Sequence, residues 1–325
     1  MRKSLRAFGK AVASISKDRY IAALNGVVGN SLEKQKSRFS IEMDFYANGK
    51  SIDWIRMGPK ITEKICVFVH GSCDNEESWQ SHKGYGLILQ KKLGYTPLYV
   101  RYNSGLHIST NGQKLSRLLR KLFRSHSEKI KEMVLIGHSM GGLVIRSAGY
   151  YGKKGHEKWV KKVSKIFLLG APHSGSHVEK LGNLATNVLK TIPNFYTKII
   201  AKLGNIRSDG IKDLRHGYLV DEDWKGKDPD PLLGMGRSVP LLDGVHYYII
   251  AATLSKNPES LMAQLWGDGM VHPSSATGKS FLMSNPIAFP KENLRIFAGV
   301  SHIGLTHNSH VGRQIVEWCR TGVSQ

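Results

Sequence analysis

Ser139 stands in the run Gly137-His138-Ser139-Met140-Gly141, with a further glycine at position 142. A serine hydroxyl is a weak nucleophile near neutral pH, so the residue type alone promises no chemistry. The glycine spacing promises more. On a sharp strand-to-helix turn a serine is lifted clear of the sheet, while positions two residues either side are pressed against neighbouring backbone. Glycine relieves that crowding. The apolar run Met133–Ile136 precedes the turn and a helix-compatible stretch, Leu143 to Tyr151, follows it, which is the context such a serine needs. A plain glycine turn is the bland alternative, and it does not ask for that flanking pattern.

A serine presented this way requires a base, and the base requires a carboxylate to orient it. The acid then follows the serine in the chain and the histidine comes last. His302 lies four residues beyond the final apolar strand, Leu294–Ala298, with His307 and His310 as nearby competitors. The later two are expected to begin the terminal helix, so His302 is favoured. For the acid, Asp268 falls between the strand at Tyr247–Ala251 and the last strand. An Asp between glycines also suits a simple turn, but its place in the order favours catalysis over Asp243 and Glu259. The oxyanion of a tetrahedral intermediate calls for two backbone N–H donors. Met140, directly after the nucleophile, is one candidate; Ser72, in the loop His70-Gly71-Ser72-Cys73, is the other, with Cys73 as second choice.

These residues need a scaffold that gathers them, and the rest of the chain reads as one. Apolar runs at Ile65–Val69, Leu98–Tyr102, Met133–Ile136, Ile166–Leu169, Tyr247–Ala251 and Leu294–Ala298 predict buried strands. Helical patterns lie between several of them: the Leu115/Leu118/Leu119/Leu122 stripe, Leu143–Tyr151, and a last helix near Val311–Cys319. Alternation of this kind predicts a mostly parallel central sheet flanked by helices. Residues 176–245 break the rhythm with a helical part from Leu181 to Leu203 and a Gly/Pro-rich loop from Asp221 to Pro240. An insertion there is expected over the carboxyl ends of the strands, as a cap or lid. The expected organisation is a basic N-terminal helical segment, residues 1–40, and an α/β catalytic domain, residues 41–325, carrying the cap insertion at about 176–245.

Within 2–17, Leu5, Phe8, Val12 and Ile15 recur three to four apart among Arg2, Lys3, Arg6, Lys10 and Lys17, a basic amphipathic helix. It suits packing on the body, or lying on anionic lipid. The whole chain has 47 Lys and Arg against 25 Asp and Glu, a net charge of +22 among 325 residues. Such a surplus attracts polyanions, whether nucleic acid or an anionic membrane. No nucleic-acid-binding signature accompanies it, so no specific nucleic acid is expected. The cysteines, Cys66, Cys73 and Cys319, are too few for a disulfide framework and point to a reducing compartment. No signal-peptide core and no membrane-length apolar run is present, so the expectation is a cytoplasmic protein, peripheral to a membrane at most. No His or Cys spacing specifies a metal, and no cofactor is expected.

Val69-His-Gly71, Gly137-His-Ser-Met-Gly-Gly142, Leu169-Gly-Ala-Pro-His-Ser-Gly175, Gly267-Asp-Gly269 and Val300-Ser-His302 occur in the order that lipases and esterases share. In these motifs the chain resembles the α/β-hydrolase superfamily, and within it bacterial lipase/esterase-like proteins of the GPI inositol-deacylase-like branch. The likeness extends to Arg101-Tyr-Asn-Ser-Gly105 and Ile206–Arg215, segments without an evident mechanism. It implies an α/β-hydrolase fold, a triad of Ser139, Asp268 and His302, and Ser72 and Met140 around the oxyanion. It implies hydrolysis of carboxylic esters, often lipid esters; the branch name is not a substrate. One departure stands beside the acid: Met270-Val-His272-Pro273 carries a histidine where relatives read Val-Val-Pro or Leu-Val-Pro. Acyl transfer and thioester cleavage use the same triad. A basic nucleic-acid or membrane binding protein on a hydrolase scaffold is the non-enzymatic alternative.

Overall fold

Alternate side chains along the central strands go to opposite faces, and the core divides accordingly. Ile65, Val67, Met133, Leu135, Ile166 and Leu168 belong to one apolar cluster, and Cys66, Phe68, Val134, Ile136, Phe167 and Leu169 to the other. A strand apolar on both faces needs cover on both, which explains the continuous runs in the sequence. The computed structural model describes residues 16–56, 60–80, 84–175, 207–228, 236–256, 268, 270–271, 273–278, 287 and 289–321. The expected helices at 2–17 and 181–203 lie outside these residues, apart from Ser16 and Lys17, as do Glu259, His272 and both glycines flanking Asp268.

Among the described residues the strands are β1 (Asp44–Ala47), β2 (Lys50–Ser51), β3 (Lys64–Val69), β4 (Thr96–Arg101), β5 (Glu132–His138), β6 (Val163–Leu169), β7 (His246–Thr253) and β8 (Leu294–Ala298). They form one sheet in the order β2-β1-β4-β3-β5-β6-β7-β8. From β4 to β8 every neighbouring pair is parallel, while β1 runs antiparallel to both β4 and β2. The six expected strands are all present; the short antiparallel edge was not anticipated. This is the α/β-hydrolase arrangement: a mostly parallel sheet with helices on its two faces.

The helices are α1 (Lys17–Lys34), α2 (Tyr85–Leu93), α3 (Ile108–Ser125), α4 (Met140–Lys154), α5 (Asp209–His216), α6 (Asp221–Trp224), α7 (Pro273–Ala276) and α8 (Ser309–Arg320). α3 and α4 cover the first cluster, α2 and α8 the second. α1 begins where Ser16 accepts the Arg19 N–H, and its Leu24, Val27, Val28 and Leu32 are buried. The expected Gly/Pro-rich loop from Asp221 instead opens with α6. There the Asp223 carboxylate accepts the N–H groups of Leu219 and Val220, an acidic start favoured by the helix dipole.

Candidate active site

The sharp turn lies at the carboxyl end of β5. Ser139 has φ 52° and ψ −124°, a positive φ that a non-glycine residue adopts only under constraint. Its N–H donates to the Leu169 carbonyl of β6 at 2.8 Å, and the Ser139 carbonyl accepts from Gly142 at 3.0 Å. The glycine spacing has the steric cause expected of it. A Cβ on Gly137 would lie 2.6 Å from the Gly142 nitrogen, and one on Gly141 would strike the carbonyl oxygens of Val69 and His70. Ser139 is left half-buried above the sheet.

His302 follows β8 and is 6% exposed; Asp268 is 3% exposed. Nδ1 of His302 meets Asp268 Oδ2 at 2.7 Å, and the His302 main-chain N–H donates to the Asp268 carbonyl at 3.0 Å. The other carboxylate oxygen, Oδ1, accepts the N–H groups of Met270 (3.0 Å) and Val271 (2.8 Å). Burial by itself raises the Asp268 pKa. The charge and hydrogen bond of His302, with the two amides, outweigh it and hold the carboxyl below its usual range.

Of the other candidates, His307 and His310 are exposed, His310 on the first turn of α8 as expected. Asp243 pairs with Lys153 on the surface at 2.7 Å. Among the described residues, no group of three or more His, Cys, Asp or Glu could hold a metal ion.

The loop after β3 is held from within and from the side. His70 Nδ1 donates to the Gly71 carbonyl at 2.8 Å, and its Nε2 accepts the Tyr102 N–H at 3.3 Å. Burial drives this ring's pKa down to about 3, so both bonds come from one neutral tautomer. The Tyr102 hydroxyl donates back to the His70 carbonyl at 2.9 Å. Cys73, at φ 60°, donates its N–H to Ser104 Oγ at 3.0 Å. That amide is therefore engaged, which leaves Ser72 rather than Cys73 as the candidate oxyanion donor of this loop. Met140 opens α4, where the first amides of a helix have no intrahelical acceptor.

The two segments that lacked a mechanism meet behind this loop. Arg101 makes a bidentate ion pair with buried Glu76, both contacts 2.6 Å, and adds Asp18 of α1 at 3.0 Å. Asn103 donates to Gly29 of α1 and accepts from Gly105. On α5, Asp213 accepts the Ile108 N–H at 2.7 Å, and Gly210 donates to the Gly105 carbonyl at 3.2 Å. Ser208 reaches across to the Gly26 carbonyl at 2.6 Å. Sequence reasoning missed these positioning residues because their partners are distant in the chain; the resemblance was the only signal available.

With this geometry in place, the chain can be set beside known proteins. The mature form of Bacillus licheniformis lipase BlEst2 superposes with a TM-score of 0.50 at 18% identity, over 78% of this chain and 91% of that one. Bacillus subtilis carboxylesterase CesB (YbfK) gives 0.44 at 12% identity, over 80% and 85%. Aspergillus fumigatus lipase B gives 0.48 at 11% identity, over 84% and 55%. At such identities the likeness to the BlEst2 structure is one of fold. No curated protein matches the sequence. The sequence profile of the PGAP1-like alpha/beta domain matches residues 60–229, which run from before β3 through the Ser139 turn to α6. Because that match spans more than half of the sequence, the chain belongs to the PGAP1-like alpha/beta domain family.

Proposed function

We propose that the chain is a serine hydrolase of carboxylic esters, acting on lipid-like acyl esters through Ser139, His302 and Asp268. The observation that carries this reading is the 2.7 Å contact between buried His302 and Asp268, taken together with a serine on a strained turn. In this mechanism Ser139 Oγ attacks the ester carbonyl while His302 Nε2 removes its proton. Asp268 keeps the proton of the resting imidazole on Nδ1 and stabilises the imidazolium that forms. The N–H groups of Ser72 and Met140 receive the oxyanion. His302 then protonates the departing alcohol, and water cleaves the acyl-enzyme by the same steps in reverse roles.

The family membership supports an apolar ester, and the +22 charge would hold such an enzyme at an anionic membrane surface. No helix among the described residues is long and apolar enough to cross a membrane. Residues 176–245 act as the cap in this reading. Its support is that α5, from within that range, packs through Gly210 against Gly105 and the Met140 side chain. Transfer to an acceptor other than water, or cleavage of a thioester, would use the same groups.

The test is labelling with a fluorophosphonate probe alongside hydrolysis of short nitrophenyl esters. Ser139→Ala is expected to abolish both. Labelling that survives the substitution would overturn the assignment, and a panel of acyl chains and head groups would then define the substrate.

A further inference from the structure

A second buried histidine touches the proposed base, and the mechanism above gives it no task. His138 immediately precedes Ser139 and is 4% exposed. Its Nε2 lies 2.9 Å from the main-chain carbonyl of His302, and the two imidazole rings are 4.7 Å apart between centroids. A carbonyl oxygen only accepts, so Nε2 must carry the hydrogen. Nδ1 then holds a lone pair, and it is buried without a hydrogen-bond partner among the described residues. The edge-on indole of Trp79, centroid 6.3 Å away, closes another side of the ring.

We propose that His138 is a positioning residue whose Nε2–H grips the His302 carbonyl and fixes the base over Ser139. The inference rests on the triad reading of Ser139, His302 and Asp268. The His302 main chain is held at both ends of its peptide geometry: the N–H by Asp268 and the C=O by His138. Asp268 alone fixes the ring's tautomer and one side of its backbone. A loop residue held on one side can still pivot, and the second bond removes that freedom. The grip is also short in sequence terms, because the gripping residue is the covalent neighbour of the nucleophile. Base and nucleophile are thereby tied to one turn of the chain.

The same geometry excludes His138 as the base. Its Nε2 is occupied as a donor, and protonating Nδ1 would place a second N–H where no acceptor stands among the described residues. Burial, and then the neighbouring His302, push its pKa down to about 3. An uncharged ring at 4.7 Å also suits a base that must become an imidazolium.

The experiment compares His138→Gln, His138→Asn and His138→Leu in steady-state hydrolysis of a nitrophenyl ester, with folding checked by circular dichroism and thermal midpoint. A glutamine amide reaches the place of Nε2; an asparagine amide reaches only that of Nδ1. The Leu and Asn variants are expected to lose roughly ten- to a hundredfold in kcat with KM nearly unchanged, as for a small misalignment of reacting groups. The Gln variant is expected to recover most of that loss and to keep the acid limb of the kcat/KM profile. Should Leu fail to fold, the Gln and Asn pair decides. The proposal is overturned if Gln is as impaired as Asn, if folded Leu or Asn turns over like wild type, or if the acid limb vanishes in Gln. Ser139→Ala is run in parallel: turnover that persists there overturns the triad itself, separately from the role of His138.

Discussion

Ser104 accepts the main-chain N–H of Cys73 at 3.0 Å, and this bond pins a left-handed residue in the loop that carries Ser72. Cys73 would leave φ 60° at little cost if nothing held it. Ser104→Ala removes the acceptor and leaves a part-buried donor unpaired. We expect a loss of about 1 kcal/mol in stability, the low end for an unmade bond. We also expect kcat to fall roughly tenfold or more as the oxyanion donor drifts. Denaturant midpoints and steady-state kinetics measure the two effects separately; wild-type kcat in Ser104→Ala would detach this loop from catalysis.

Asp268→Asn should preserve the fold and cost about three to four orders of magnitude in kcat, because the amide favours the wrong imidazole tautomer. The pH dependence of stability is the second readout. A carboxyl held below its unfolded value contributes stability above the unfolded pKa, about 3.9, and loses it as pH falls through the lower folded pKa. Wild type should therefore lose stability more steeply than Asp268→Asn below about pH 4, a difference read from urea midpoints at several pH values. Parallel curves would contradict the depressed pKa.

Gly141→Ala places a methyl group against the carbonyl oxygens of Val69 and His70, which belong to β3 and the loop after it. Backbone cannot yield as a side-chain tip can. We expect destabilisation of about 3 kcal/mol, at the upper end for overpacking, together with loss of fluorophosphonate labelling. Thermal denaturation checks the first, and normal labelling in a folded variant would argue against the steric account.

Arg101→Met leaves Glu76, fully buried, without its partner. Breaking a buried pair from one side typically costs about 3–5 kcal/mol, whereas replacing both ends with apolar groups costs far less. The double variant Arg101→Met, Glu76→Leu should therefore be more stable than Arg101→Met alone. A double-mutant cycle by chemical denaturation measures this, and additive losses would refute it.

The sequence by itself determined the core of the sheet and the identity of the turn. Ile65–Val69, Met133–Ile136 and Ile166–Leu169 announce buried strands because a strand covered on both faces has no polar positions to spare. Gly137 announces the turn because its crowding against Gly141 and Gly142 is local to the chain, whereas Gly141 is crowded by Val69 and His70, distant in sequence. Chain order could rank Asp268 and His302 above their neighbours, yet not bring them into contact. The antiparallel β1–β2 edge escaped notice, since strands of four and two residues leave little periodic trace. Only the tertiary structure decided that Asp268 lies 2.7 Å from His302, that Ser104 takes the Cys73 amide and that His138 holds the His302 carbonyl. These pairs are separated by 34, 31 and 164 residues. Periodicity reports which face of an element is buried; it carries no information about which distant side chain the folded path will bring to that face.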